Sequence, residues 1–132
     1  RRRSAENPVY YVQYAYTRIA GIFRQAAEKG VEAPAATSDA VEVLGNADEL
    51  SLVKLLDEFP AVVEASALKM EPHRVVFYAQ RLAGEFHRFY TRNRCVSDDE
   101  RLTAGRLLLV AAVRQVIGRA LGLVGVRAPE RM

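Results

Sequence analysis

The chain has 132 residues, of which 50% are hydrophobic and 27% are charged, and these values are typical of one soluble globular domain with its own core. No apolar run reaches the roughly 18–20 residues that span a bilayer, and no secretory signal is visible, so we expect no membrane partner. A single cysteine excludes an internal disulfide and fits a reducing cytoplasm. The net charge of +3 permits nucleic-acid binding without requiring it.

The first predicted element is a helix that begins after Asn7. The sequence opens with "RRRSAEN" and lacks an initiating methionine, so we expect residues 1–6 to be the end of an upstream connection. Asn7 suits an N-cap, Pro8 the first helical position and Gly30 the residue beyond the end. Apolar residues then recur at spacings of three and four: Val12, Ala15, Tyr16, Ile19, Ile22, Phe23 and Ala26.

Four of the six tyrosines of the chain lie on two turns of this helix. At about 100° per residue, Tyr10 and Tyr14 point away from the apolar stripe, Tyr11 lies on its flank and Tyr16 lies inside it. We therefore expect Tyr16 in the core, and Tyr10 and Tyr14 facing solvent or a partner. The residues alone leave both of those interpretations open.

Residues 31–46 contain Pro34 and Gly45 and predict a connection. A short amphipathic helix follows in "ADELSLVKLLDEF", and new helices restart at Pro60 and at Pro72. The helix after Pro72 carries the longest apolar stripe, in which these residues keep helical spacing: Val75, Val76, Ala79, Leu82, Ala83, Phe86, Phe89 and Tyr90.

The last helix follows the turn "CVSDDERL". Ser97 and Glu100 match a capping box, and from there to Leu123 the sequence is apolar around most of its circumference, as expected of a helix surrounded by others. We find no alternating strand pattern of convincing length. The sequence therefore predicts an all-α bundle of about five helices.

Side chains for catalysis or metal binding are scarce. Cys95 has no second cysteine, and His73 and His87 stand fourteen residues apart on one predicted helix, too far to share a metal. We expect His73 at a helix start and His87 at the edge of the packed face. No glycine-rich phosphate loop is present. The sequence thus predicts a binding domain with no catalytic residue, metal or cofactor of its own.

Three blocks carry a resemblance to a known family: "NPVYYVQYAYTRI", "LDEFPAVVEASALKMEPHRVVFYAQRLAGEFHRFYTRNRCV" and "RLLLVAAVRQVIGRALGLVGVRAPERM". In this order, from residue 7 to residue 132, they resemble the C-terminal, DALR-type anticodon-binding domain of arginyl-tRNA synthetase, a class I enzyme. The resemblance implies one helical domain over residues 1–132. It implies two partners: the anticodon stem-loop of tRNA-Arg and the absent catalytic domain of the same polypeptide. That cytoplasmic parent enzyme uses ATP and magnesium, and this domain would not be an enzyme on its own.

The resemblance also implies which residues contact the anticodon loop: Tyr11, Tyr14, Tyr90 and Met132. Arg94 stands where some family members place a second aromatic residue, and its guanidinium can stack on a base or pair with a phosphate. Tyr16 stands where the family often has His. The candidate phosphate contacts are Arg88, Arg92, Arg106, Arg114 and Arg119.

Two other hypotheses remain. One is a protein-docking bundle whose tyrosine face meets another domain, which an exposed apolar patch on the first helix would favour. The other is the anticodon domain of a different class I synthetase, which the blocks "YVQYAYTRI" and "APERM" disfavour. For each arginine taken singly, an ordinary solvated basic face is the competing interpretation.

Overall fold

A computed structural model describes residues 7–35 and 39–132 of the chain. These residues form five α-helices and no β-strand: α1 (Pro8–Glu28), α2 (Ala47–Asp57), α3 (Phe59–Lys69), α4 (His73–Arg92) and α5 (Glu100–Leu123). A short 3₁₀ turn, Ala40–Val43, lies in the predicted connection between α1 and α2. The predicted all-α bundle of about five helices is confirmed, while the expectation for residues 1–6 concerns residues outside those described.

Local capping explains where α1 and α2 begin. The Asn7 side-chain oxygen accepts hydrogen bonds from the backbone N–H groups of Val9 and Tyr10 at 3.0 and 3.2 Å, and Pro8 is the first helical residue. Gly30 follows the helix with a φ of 74°, as its predicted position requires. At α2, Asn46 forms a capping box with Glu49 that the sequence analysis did not identify.

The predicted capping box at the start of α5 is wrong. Asp99, rather than Ser97, caps the helix: its carboxylate accepts from the backbone N–H groups of Arg101 and Leu102, both at 3.1 Å. Ser97 instead exchanges hydrogen bonds with the hydroxyl of Thr103. Two suitable caps lie two residues apart, and the bonds to Thr103 hold Ser97 outside the helix.

The core lies where α1, α4 and α5 pack together, with α2 and α3 covering α4. Its largest fully buried apolar side chains come from these helices: Ile19, Leu52, Leu82, Phe86, Phe89, Leu107 and Ile117. Full burial of each stabilises the fold by roughly 1.5–3 kcal/mol. Tyr16 is half-buried against this core and lies over Gly118, on the predicted side of α1. None of the helices in the described part of the chain is both long and apolar enough to cross a bilayer.

Two packing relationships position the functional surface. The 3₁₀ turn lies against α5 at Gly105, where an added Cβ atom would approach the Ala40 carbonyl oxygen to 2.7 Å. Helices α1 and α4 lie side by side and run in the same direction, because Tyr11 meets Gly84 while Arg18, two turns later, meets Tyr90. Side chains from the facing edges of α1 and α4 therefore share one surface.

Candidate nucleic-acid interface

An aromatic cluster lies where α1 meets the second half of α4. We define this cluster by five residues: Tyr11, Tyr14, Arg18, His87 and Tyr90. The Tyr14 ring is stacked on the His87 ring, with centroids 5.6 Å apart and an interplanar angle of 28°. The Tyr11 ring is tilted against the same imidazole at 5.2 Å. The resemblance implied Tyr11 and Tyr14 of α1 and Tyr90 of α4 as contacts of the anticodon loop. The structure brings these three residues together on one surface.

The Arg18 guanidinium lies between two of these rings. Its central carbon is 5.1 Å from the centre of the Tyr14 ring and 4.4 Å from that of Tyr90, which are cation–π distances. One of its nitrogens, Nη1, lies 3.3 Å from Nδ1 of His87. Because a guanidinium can only donate, Nδ1 accepts this hydrogen bond and the imidazole proton lies on Nε2. That Nε2 is buried without a hydrogen-bond partner in the described part of the chain.

His87 is held neutral. Burial, aided by the positive charge of Arg18, lowers the pKa of His87 to about 4, against a usual value of 6.5. Near neutral pH, Arg18 is therefore the one charged residue of the cluster. The surface combines three phenol rings with a single positive charge.

Exposure differs among the tyrosines of α1. Tyr14 is 39% exposed, which confirms that it faces away from the core. Tyr11 is half-buried and packs against the core, as its flank position predicts. Tyr10 is also half-buried, so it is less open to solvent than expected.

The C-terminal tail, residues 124–132, folds back along α1. Three side chains of α1 donate hydrogen bonds to main-chain carbonyls of this tail: Gln13 to Arg127 at 2.8 Å, Thr17 to Pro129 at 2.9 Å and Arg24 to Glu130 at 3.4 Å. Met132 ends the tail with half of its surface exposed. The tail therefore runs along α1 from Gln13 toward Arg24, and contact of Met132 with the anticodon loop stays a prediction.

Arg94 and Tyr90 line the same cavity, on the side of α1 that faces α4. A cavity of about 340 Å³ opens between the C-terminal ends of α1 and α4, and both residues line it together with Gln25 and Lys29. The Arg94 side chain is exposed. The structure thus places a basic, open cavity directly beside the aromatic cluster.

The prediction for Arg106 is wrong. This residue is 9% exposed, and its guanidinium is bound inside the protein: Nε donates to Glu49 Oε2 at 2.7 Å, and Nη1 and Nη2 donate to Arg94 O and Asn93 Oδ1. Burial pushes the pKa of Glu49 upward, but hydrogen bonds from the Asn46 backbone and from Arg106 outweigh it and hold that pKa below its usual value. Arg106 therefore cannot reach a phosphate.

The two candidate phosphate contacts on α4 are exposed but already paired. Arg88 donates to Glu85 at 2.6 Å, and Arg92 donates to Asp48 at 3.2 Å. Exposed ion pairs of this kind contribute little to stability, so either arginine can exchange its carboxylate for another anion at small cost.

The two candidates on α5 lie elsewhere. Arg114 and Arg119 line a cavity of about 530 Å³ between α1 and α5, beside Tyr16. The Arg114 guanidinium also lies 4.6 Å from the Phe23 ring centre. The structure therefore does not bring all the predicted phosphate contacts to one surface.

Sequence reasoning did not assign a role at this surface to Arg18 or His87. A signal for Arg18 was present, because it follows Tyr14 by four residues and Tyr11 by seven and so shares their side of α1. His73 begins α4 and His87 is half-buried at the edge of the packed face, both as predicted. In the described ranges, no three His, Cys, Asp or Glu residues group closely enough to hold a metal ion.

Residues 12–132 match the DALR anticodon binding domain family, and the chain belongs to that family. It is 46% identical over 132 residues to the arginine–tRNA ligase of Geobacter metallireducens and 48% identical over the same length to that of Geotalea uraniireducens. In both comparisons all of this chain is covered, but only 24% of the ligase, so the chain spans about a quarter of the length of these relatives.

A solved structure shows the same fold. The chain superposes on the arginyl-tRNA synthetase of Thermus thermophilus with a TM-score of 0.81 at 27% identity, covering 98% of this chain and 22% of that one. The resemblance to the anticodon-binding domain of arginyl-tRNA synthetase is confirmed.

Proposed function

We propose that this chain is the anticodon-binding domain of an arginine–tRNA ligase, and that its aromatic cluster contacts the unpaired bases of the tRNA-Arg anticodon loop. The observation that carries the proposal is the convergence of Tyr11, Tyr14 and Tyr90 from two helices on one surface. Single-stranded RNA loops are recognised by stacking splayed bases on aromatic rings while hydrogen bonds read the base edges. Membership of the DALR family supports this use of the surface.

The cluster is suited to stacking because its rings are already ordered. Tyr14 rests on the His87 imidazole, and Arg18 contacts both Tyr14 and Tyr90, so these rings lose little conformational freedom on binding. Each base–aromatic stack is worth roughly 1–3 kcal/mol. The charge of Arg18 adds attraction for the RNA backbone.

Residues outside the cluster extend the proposed contact. Arg94 and Lys29 give the neighbouring cavity positive charge suited to a phosphate, and Met132 offers a flexible thioether that can pack against a base. Phosphate contact by four exposed or half-buried arginines stays part of the proposal: Arg88, Arg92, Arg114 and Arg119.

The remaining functions belong to the ligase as a whole. We propose that joining arginine to its tRNA, with ATP and magnesium, takes place in a catalytic domain outside this chain, and that this domain acts in the cytoplasm without catalysing a reaction itself. The names of the relatives and the quarter of their length that the chain spans support this division.

Binding of a tRNA-Arg anticodon hairpin, measured by fluorescence anisotropy, tests the proposal. We expect Tyr14→Ala and Tyr90→Ala each to weaken binding about 5- to 150-fold, the equivalent of one lost stack. Tyr14→Phe should keep most of the affinity because the ring remains. Phe77→Ala is the matched control, since Phe77 is an exposed aromatic residue of the same helix as Tyr90, outside the cluster.

Wild-type affinity in both alanine variants, with the bundle folded by circular dichroism, would show the stacking assignment to be wrong. Salt separates RNA binding from the docking hypothesis, because each phosphate contact to a single strand lowers the log–log slope by about 0.7 whereas an apolar contact does not. Among the large hydrophobic residues of α1, Tyr14 alone is exposed, so that helix lacks the apolar patch that docking through it requires. A hairpin with a substituted middle anticodon base should bind more weakly than the cognate hairpin.

A further inference from the structure

A second surface, distinct from the aromatic cluster, exposes large apolar side chains. Leu68 at the end of α3, Met70 in the following turn and Phe77 in the second turn of α4 are 77%, 86% and 58% exposed. We call these three residues the α3–α4 patch. The His73 ring packs edge-on against Phe77 at 5.5 Å and borders the patch. These three residues come from the two helices α3 and α4 and the turn between them, and groups of exposed apolar side chains mark interaction sites more often than scattered single ones do.

The backbone of Met70, one residue of the patch, is held in an unfavourable conformation. Met70 has a φ of 53° and a ψ of 46°, the left-handed region, and is the one non-glycine residue with positive φ in the described part of the chain. The backbone N–H of Glu71 donates to the Ser66 carbonyl at 2.9 Å, which closes the turn that ends α3. Glycine is the usual residue at this position, because a Cβ atom disfavours the left-handed conformation. Strain at an exposed residue is a reason to look for a use of its side chain.

The position of α1 indicates what covers the patch. Phe77, Arg81 and Gly84 follow one another at spacings of four and three on one side of α4, and Tyr11 of α1 meets Gly84. Because α1 begins at Pro8, one turn before Tyr11, its first turn lies beside this side of α4. The aromatic cluster uses the other half of α4, at His87 and Tyr90.

We propose that the α3–α4 patch is the surface on which the ligase polypeptide preceding α1 packs against this domain. The inference rests on the proposed function, because it takes the chain to be part of an arginine–tRNA ligase. This chain covers 24% of its relatives, so most of each ligase lies outside the matched part and is available to cover the patch. The partner is an apolar surface complementary to Leu68, Met70 and Phe77.

Methionine oxidation tests this inference with a built-in control. The chain has two methionines, Met70 in the patch and Met132 in the C-terminal tail. Both are exposed in the structure, so hydrogen peroxide should oxidise both in the 132-residue chain, as followed by peptide mass spectrometry. In the full-length ligase without RNA, we expect Met70 to be oxidised several-fold more slowly while the rate at Met132 stays the same.

A variant of the patch sharpens the test. Phe77→Ser in the full-length ligase should restore much of the oxidation rate at Met70, because it removes the largest apolar side chain of the patch. Val53→Ser is the matched control, since Val53 is an exposed apolar residue of α2 outside the patch. It should leave Met70 protected.

Equal oxidation rates at Met70 in the chain and in the ligase would overturn the inference. Protection of Met70 in the 132-residue chain itself, together with sedimentation as a dimer, would overturn it in favour of a second copy as the occupant. Failure of the proposed function is a separate result. An anticodon hairpin that does not bind, with Met70 still protected in the ligase, would refute the RNA-binding role and leave the patch assignment standing.

Discussion

Arg106 and Glu49 form an ion pair in the interior, with 2.7 Å between Arg106 Nε and Glu49 Oε2 and side-chain exposures of 10% and 2%. The other carboxylate oxygen of Glu49 accepts from the backbone N–H groups of Gly45 and Asn46 at 2.8 and 3.0 Å. One side chain therefore caps α2 and also neutralises a cation on α5. Since Arg106 also donates to the Arg94 carbonyl, the pair fixes the segment that follows α4.

Arg106→Met should destabilise the domain strongly. It leaves the Glu49 carboxylate buried without its cation, which typically costs about 3–5 kcal/mol. Urea unfolding followed by circular dichroism measures this change. The double variant Glu49→Gln/Arg106→Met should lose less than the sum of the two single variants, because no charge is then left buried. A loss under about 1 kcal/mol for Arg106→Met, the value of an exposed pair, would contradict this account.

Stability should fall as the pH is lowered through the weakly acidic range. The pKa of His87 is about 4 in the folded protein, below its ordinary value of 6.5, so between these values the unfolded chain binds a proton that the folded protein does not. This contribution to stability is complete above pH 6.5 and is lost as the pH falls toward 4. Unfolding free energies measured at pH 7 and pH 4.5 should differ less in His87→Gln than in the parent. His73→Gln is the control, because the His73 ring is exposed. An identical pH dependence of the unfolding free energy in His87→Gln and the parent would refute the contribution of His87.

Two glycines of α5 should respond oppositely to alanine. A Cβ atom at Gly105 would lie 2.7 Å from the Ala40 carbonyl oxygen and 2.8 Å from a methyl group of Val43, so Gly105→Ala should cost about 1–3 kcal/mol through overpacking. Nothing lies within 4 Å of the corresponding position at Gly122, so Gly122→Ala should stabilise the helix by up to about 1 kcal/mol. Thermal unfolding of the two variants checks both signs. Equal effects would mean that the 3₁₀ turn does not pack against α5.

Met70→Gly should stabilise the isolated chain. The left-handed conformation costs a residue with a Cβ atom roughly 1–2 kcal/mol, and glycine removes this cost. Glycine also has greater freedom in the unfolded chain, which offsets part of the stabilisation, so we expect the free energy of unfolding to increase by about 1 kcal/mol. Gly30→Ala is the converse control, since Gly30 has a φ of 74° and alanine should destabilise the chain there. Chemical denaturation gives both values, and a destabilised Met70→Gly variant would disprove the strain.

The ends of α1, which local sequence sets, were predictable, although the cap of α5 was assigned to Ser97 instead of Asp99. Asn7, Pro8 and Gly30 correctly marked the two ends of α1, because capping depends on residues within one turn. Helical periodicity correctly placed Tyr14 outside and Tyr16 on the core side, since both positions follow from rotation about one helix axis.

Features that depend on residues distant in sequence were not predictable in the same way. Arg106 is neutralised by Glu49, 57 residues earlier, and nothing within its own helix indicates that partner. The neighbours of His87 likewise come from α1, 69 residues away in the case of Arg18. The resemblance to a family supplied the tyrosines of the site, but the ion-paired core and the arginine between the rings required the fold.

The C-terminal tail is attached to α1 through its own main-chain carbonyls, which accept from Gln13, Thr17 and Arg24. Its path consequently depends on how many residues it contains more than on which residues they are. An extended chain advances about 3.3 Å per residue, so inserting or deleting one residue before Met132 would shift the terminal thioether by about that distance along the helix. The length of the tail thus sets the position of its end along α1, and a tag fused after Met132 would extend from that position.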